Sequence, residues 1–125
     1  MIKLISIVVG GFFLLLAFQC KKKQQTCEPI ESVSYSQHIQ PIFNANCINC
    51  HGGNSPDGNL NLESAVSYGN LLDLQMGYVD TINPSSSLLY NSMNSTSNPM
   101  PPNGKLDKCK IELILKWIEQ KAKNN

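Results

Sequence analysis

Apolar positions along this chain fall into a few short stretches, and only one of them keeps a regular period. Ile111, Ile114, Leu115 and Ile118 recur at i, i+3, i+4 and i+7, the spacing of one helix face, and Trp117 flanks the stripe. Asp107 is placed to cap that helix, which the pattern carries to about Lys121. A shorter helix is predicted from Ser34 or Ser36 to Asn44, with Ile39, Ile42 and Phe43 on one side. Pro41 is tolerated in a first helical turn, which favours a start near His38. Ser64 opens a short helix to about Gly69. Pro84 with Ser85, Ser86 and Ser87 opens another, whose apolar side is Leu88, Leu89 and Met93. Residues 52–61 (GGNSPDGNLN) and 94–98 are dense in turn formers and read as loop, and 71–79 fits no template. Neither a strand pattern nor an internal repeat emerges. The expected fold class is all-α, with about three to five helices and long loops.

Between the first helix and the first loop stands Cys47-Ile48-Asn49-Cys50-His51. In C-x-x-C-H, two thiols take the vinyl groups of a haem as thioethers, and the adjacent histidine ligates the iron. Cys47, Cys50 and His51 are therefore the expected attachment residues for one covalent haem c. A C-x-x-C without the histidine would serve equally as a redox dithiol or half a zinc site.

The beginning of the sequence fits that chemistry. Lys3 is followed by an apolar run, Leu4–Phe18, broken by Ser6 and the Gly10-Gly11 pair, and Cys20 ends it. Residues 1–19 read as an export signal, and Leu16-Ala17-Phe18-Gln19-Cys20 resembles a bacterial lipobox in which Cys20 is lipidated; Gln19 stands where a small residue is usual. The alternative is an uncleaved anchor stopped by Lys21, Lys22 and Lys23, which would hold the remainder inside the cell. Haem attachment takes place outside the cytoplasmic membrane, so the lipoprotein reading agrees with the motif. The expected organisation is a signal over 1–19, a lipid-anchored tether over 20–33 and a haem domain over 34–125, extracytoplasmic and held at a membrane, on the periplasmic face.

Charge sharpens the picture modestly. The chain has ten lysines, no arginine and nine acids, for a formal net charge of +1. Between Gln24 and Gly104 there is no lysine, whereas six lysines follow from Lys105 onward. An acidic body with a lysine-bearing last helix would be a dipolar surface for redox partner proteins, and a plain solvated helix face explains the same residues. A basic stripe with interleaved aromatics is missing, which excludes nucleic acid as the expected partner. A monomer is expected.

With Cys20 assigned to lipid and Cys47 and Cys50 to haem, Cys27 and Cys109 remain. In an oxidising compartment an even remainder predicts a disulfide, the alternative being two buried free thiols. For the second axial position the chain offers Met76, Met93, Met100 and His38. Met100 lies in Asn98-Pro99-Met100-Pro101-Pro102, a stiff loop suited to holding a weak thioether ligand, and is the expected partner of His51. Met93 sits on a helix face where core packing is the ordinary explanation, and a lone His38 is ordinarily a surface or packing residue.

Taken together, residues 33–122 resemble small bacterial class I-type cytochrome c domains of membrane-anchored lipoproteins. The resemblance rests on Tyr35-Ser36-Gln37-His38-Ile39-Gln40-Pro41-Ile42-Phe43, Cys47–Gly53, Asn83-Pro84-Ser85-Ser86-Ser87-Leu88-Leu89-Tyr90, Met100-Pro101-Pro102 and the helix through Trp117-Ile118. It implies helices around one haem, with the first and last crossing, and a meeting of Phe43 and Trp117 there. A Cys27–Cys109 bond departs from what the broader family requires. The expected function is one-electron transfer with His51/Met100 ligation, and no nucleophile–base pair speaks for an enzyme. The competing readings are a haem-based sensor or gas-binding domain, a thiol-disulfide or zinc module using Cys47 and Cys50, and an accessory electron-input domain.

Overall fold

Gln40, which precedes the troublesome Pro41, shows how the chain solves the proline problem. The computed structural model describes residues 26–125, and in it the first helix begins at Tyr35, earlier than His38. Tyr35–Ile39 is a π-helical turn, with the Gln40 amide donating to the Tyr35 carbonyl, and it runs into α1, Gln40–Asn46. Pro41 has no N–H for the usual i→i−4 bond and its ring crowds that carbonyl; a widened turn just before it removes both conflicts.

Ser34 caps this entrance. Its Oγ accepts from the Gln37 amide at 3.3 Å, and the Ser34 amide in turn donates to His38 Nδ1 at 2.8 Å. The arrangement works as a capping box with histidine as the reciprocal acceptor. His38 is thereby engaged at the helix start.

Three further helices follow: α2 (Ser67–Leu71), α3 (Leu88–Asn94) and α4 (Lys108–Glu119). Short 3-10 turns occupy Asp57–Asn59 and Pro84–Ser86. No strand occurs among the described residues, so the fold class is all-α as expected. The helix expected from Ser64 begins three residues later, and 64–66 forms the turn that leads into it. The Pro84 signal marks a 3-10 turn that precedes α3. Asp107 caps α4, its carboxylate accepting from the Cys109 amide at 2.8 Å.

The core gathers Tyr35, Ile39 and Phe43 from the first helix against Ile111, Ile114, Trp117 and Ile118 of α4. Trp117 is fully buried and Leu115 only partly, which reverses the weights in the sequence stripe. At 100° per residue the buried arc of α4 runs through Trp117, Ile114, Ile118 and Ile111, and Leu115 lies at its edge. Phe43 and Trp117 are linked through Tyr35, whose ring centroid lies 6.5 Å from the first and 5.2 Å from the second. Tyr68 closes the cluster edge-on to Tyr35 at 5.2 Å. Phe43 and Trp117 share one buried cluster, and Tyr35 packs against both because α4 lies against the π turn Tyr35–Ile39.

Beneath these rings lies a buried polar chain. Tyr35 Oη donates to Ser67 Oγ at 2.7 Å, and Ser67 Oγ donates to Gln40 Oε1. Gln40 Nε2 then donates to the Leu62 carbonyl at 2.9 Å and to Asn44 Oδ1 at 2.8 Å. Each buried polar atom has a partner, as the low interior dielectric demands. The network ties the first helix to α2 and to the loop that follows the C-x-x-C-H segment.

Past α4, Lys121 (φ 70°) and Ala122 (φ 45°) turn the chain back in the left-handed region. The following residues reach the first helix: the Asn125 carbonyl accepts from the Ser36 amide at 2.9 Å and from Ser34 Oγ at 2.7 Å. A disulfide joins Cys27 to Cys109 at a Cα separation of 5.3 Å, fastening the segment before the first helix to the start of α4. Expectations for residues 1–19, for Cys20 and for Lys21–Lys23 lie outside the described residues. Among the described residues no helix is long and apolar enough to cross a membrane.

Candidate functional site

Where α1 ends, the backbone tightens around Cys47. The amides of Cys50 and His51 both donate to the Cys47 carbonyl, at 3.1 and 2.8 Å, so Cys47–His51 forms one compact turn. Gly52 continues it with little room to spare. A Cβ there would come within 2.5 Å of the Ile48 carbonyl oxygen and 3.4 Å of Glu63 Cγ, so the first glycine is a steric requirement. Gly53, at φ +72°, supplies the left-handed step that ends the turn.

The His51 ring is held from behind. Its Nδ1 donates to the Asp57 carbonyl at 3.0 Å, and the Asp57 amide donates to the Cys50 carbonyl at 2.8 Å. The acceptor is a backbone carbonyl of the loop that follows the turn. With Nδ1 engaged, Nε2 is the nitrogen left for a metal.

Cys47, Cys50, His51, Met93 and Met100 line one space of about 220 Å³, closed by Pro101, Pro102 and Leu106. A second space of about 170 Å³ is bordered by His51, Met100, Leu60, Tyr78, Leu88 and Leu89. His51 and Met100 border both spaces, whereas Met93 borders only the first. The Met100 loop is fixed to α3 by the Met100 amide, which donates to the Ser92 carbonyl at 3.0 Å. A cis peptide bond joins Met100 to Pro101.

The other candidates lie elsewhere. His38 belongs to the Ser34 cap, and Met76 is 46 % exposed; neither lines these spaces. Met93 is buried at 3 % exposure, which agrees with core packing. Leu60 and Leu62 are both buried, and Leu60 reaches the second space. Asn46, Asp57, Gly58 and Leu106 border the site without having been singled out in the sequence. Leu106 had a usable signal, an apolar residue isolated between Lys105 and Asp107; the Asp57 carbonyl had none, because backbone acceptors carry no side-chain code.

The site is apolar and poorly suited to thiol chemistry. Burial, and secondarily the neighbouring Cys50, push the Cys47 thiol up to about 11. Attacking thiols in dithiol enzymes are depressed instead, by helix N-termini or cationic neighbours. Among the described residues, no three His, Cys, Asp or Glu side chains gather to hold a bare metal ion. A porphyrin supplies four ligands itself, so one histidine and one thioether complete its iron. Two thiols spaced for covalent attachment, a histidine with its ring fixed and a thioether on a pinned loop, all on one apolar space, fit a haem.

The comparison with protein families agrees. Residues 47–104 match the family model for Planctomycete cytochrome C. The match supports a cytochrome c-type domain. It begins at Cys47 and runs past Met100 to Gly104, so it spans the attachment segment and the Met100 loop. No curated protein and no solved structure gives a significant match. At the coarse level the family implies haem binding and haem-based electron transfer.

Proposed function

We propose that this protein is a one-electron carrier with one haem c, bound through Cys47 and Cys50 and ligated by His51 and Met100. The observation that supports it best is that, among the described histidines and methionines, His51 and Met100 alone border both apolar spaces, the first of which the two thiols also line. The haem, once bound, supplies an iron that cycles between the ferrous and ferric states. The chain's own residues do the rest. The Asp57 carbonyl holds the His51 ring in one orientation and tautomer, and raises its basicity as a ligand. The Ser92 carbonyl holds the Met100 segment, so that a weak thioether need not immobilise its own loop. Met93 and Leu106, both buried, present apolar side chains to the site, which disfavours the more highly charged oxidation state and, with methionine ligation, raises the reduction potential.

In the same reading the protein acts outside the cytoplasmic membrane, tethered by lipid on Cys20. It is a monomer that passes electrons to redox proteins and is not an enzyme.

Absorption spectra of protein matured in cells that attach c-type haem test the proposal. Haem should resist acid–acetone extraction, and the oxidised protein should show the weak long-wavelength band of methionine ligation. Met100→Ala should abolish that band and Met93→Ala should leave it. Extractable haem, or loss of the band in Met93→Ala alone, overturns the assignment.

A further inference from the structure

The Cys27–Cys109 bond joins two stretches that are distant in sequence and alike in charge. Residues 21–28 and 105–116 hold seven lysines against three acids, whereas 29–104 holds five acids and no lysine or arginine. Cys109 itself stands between Lys108 and Lys110, and Lys105 and Lys108 are exposed. Two of the acids at this end are engaged locally: Asp107 caps α4, and Glu112 pairs with Lys108 at 3.3 Å. Both members of that pair are solvent-exposed, which keeps it weak, and the third acid, Glu28, is exposed next to Cys27.

The bond also decides where the segment before the first helix leaves the body. From Cys27 the chain runs along α4 to its far end, where Gln120 Nε2 donates to the Glu31 carbonyl at 2.6 Å and Gln120 Oε1 accepts from the Val33 amide at 2.9 Å. Held by Gln120 alone, the tether would leave at the end of α4, roughly 16 Å from Cys109 at the rise of an α-helix. Its reach from Cys20 would be about 40 Å at full extension, whereas the bond cuts that to about 25 Å and moves the exit to the start of α4. The candidate site lies next to that exit. Leu106 borders both the space beside Cys47 and a space of about 390 Å³ that Tyr90, Asn94, Lys105 and Lys108 also line.

We propose that the start of α4, with Lys105, Lys108 and Lys110, faces the membrane and rests on anionic lipid headgroups, and that the Cys27–Cys109 bond sets this orientation. The proposal rests on the lipid tether at Cys20 in the reading above. The short chain between Cys20 and Cys27 keeps this end of the body near the lipid surface, which singles out the bilayer as its partner. Charge fixes the orientation: headgroup phosphates attract the lysine-bearing end and repel the acidic remainder. Docked so, the Leu106 edge of the site is turned towards the bilayer, where a membrane-held donor or acceptor would meet it.

Full-length, lipidated, haem-bound protein in vesicles tests this. Lysines are labelled with a water-soluble amine reagent and read by mass spectrometry, on phosphatidylcholine vesicles and on vesicles with about one-third phosphatidylglycerol. Lys105, Lys108 and Lys110 should label about threefold more slowly on the anionic vesicles, and high salt should restore their rates. Lys123, exposed beyond the other end of α4, should label alike on both. Cys27→Ala with Cys109→Ala should cut the protection by about half or more while the haem spectrum stays that of wild type, because the longer tether no longer presents this end. Lys105→Gln, a change at an exposed position, should weaken the protection of Lys108 and Lys110. Equal labelling of the three lysines on both vesicles leaves this face open to water, as an acidic protein partner would need it, and overturns the proposal. So does slowing shared equally by Lys123, or full protection in the double alanine variant. A Cys20 without acyl mass sinks the tether reading itself; a lipidated, vesicle-bound protein with unprotected lysines sinks only the docking.

Discussion

Gly52 shows how much one atom matters at this site. An added Cβ would meet the Ile48 carbonyl at 2.5 Å, inside the turn that presents Cys47, Cys50 and His51. Backbone cannot step aside as a flexible side chain can. Gly52→Ala should therefore destabilise the folded protein by about 1–3 kcal/mol, in the range of overpacked sites. It should also lower the yield of covalently attached haem, read as absorbance per protein after denaturing purification. Gly53→Ala should cost less than a clash, about 1 kcal/mol, because its +72° φ is strained for alanine but nothing lies within 4 Å. Tyr35 makes the second prediction. Burial pushes its phenol above the ordinary value of about 10. The unfolded chain then releases the proton first, so the stability tied to Tyr35 is complete below pH 10 and is lost as pH rises through the folded-state value. Tyr35→Phe should lower the urea midpoint at pH 8, by about 1 kcal/mol for the lost bond to Ser67, and flatten the fall between pH 9 and 11. An equal alkaline fall in both proteins would refute this. Cys47, Cys50, His51 and Met100, which line one space, were singled out in the sequence because the expected covalent and coordinate chemistry restricts side-chain type. The Asp57 carbonyl was not legible, since any residue offers a carbonyl.

At the scale of elements, the last helix was read well and the first only in part. The α4 stripe has a period, an Asp cap and a lysine, Lys116, in its last turn, all local signals. The first helix depended on how Pro41 is accommodated, and a π turn spreads the strain over residues that carry no marker for it. The stripe named the buried side of α4 through Ile111, Ile114 and Ile118, and only the weights of Leu115 and Trp117 at its edges waited for a partner helix. The Cys27–Cys109 bond closes a loop of 82 residues between the chain before the first helix and the start of α4. In the chain-entropy picture so long a loop contributes at most about 4–5 kcal/mol. Replacing both cysteines with alanine should lower the melting temperature clearly while leaving the oxidised absorption spectrum unchanged, because neither residue lines the site. A spectral change in that variant would mean the bond shapes the site as well as the fold. Non-reducing and reducing alkylation with intact mass provides the direct check: two added labels only after reduction.

Over the whole molecule, the first helix and α4 pack through Tyr35, Trp117 and Tyr68, and a space of about 220 Å³ lies between Cys47–His51 and the Met100 loop. Trp117→Ala would open a cavity in the shared core, with an expected loss of about 3–5 kcal/mol. Because Trp117 Nε1 also donates to the Lys123 carbonyl at 2.9 Å, Trp117→Phe should fall between that variant and wild type in thermal unfolding. Covalent spacing in C-x-x-C-H, a methionine between prolines and a period of 3.6 were determined by sequence alone, because each is a constraint among near neighbours. Tertiary structure decided which methionine shares both spaces with His51, which edge of the α4 stripe is buried most deeply and that Tyr35 packs between the first helix and Trp117. It also gathered two uncharged stretches, 32–56 and 81–104, around one site. Those outcomes depend on contacts between residues tens of positions apart. Loop closure and close packing settle such contacts together, and no local pattern of side chains encodes them.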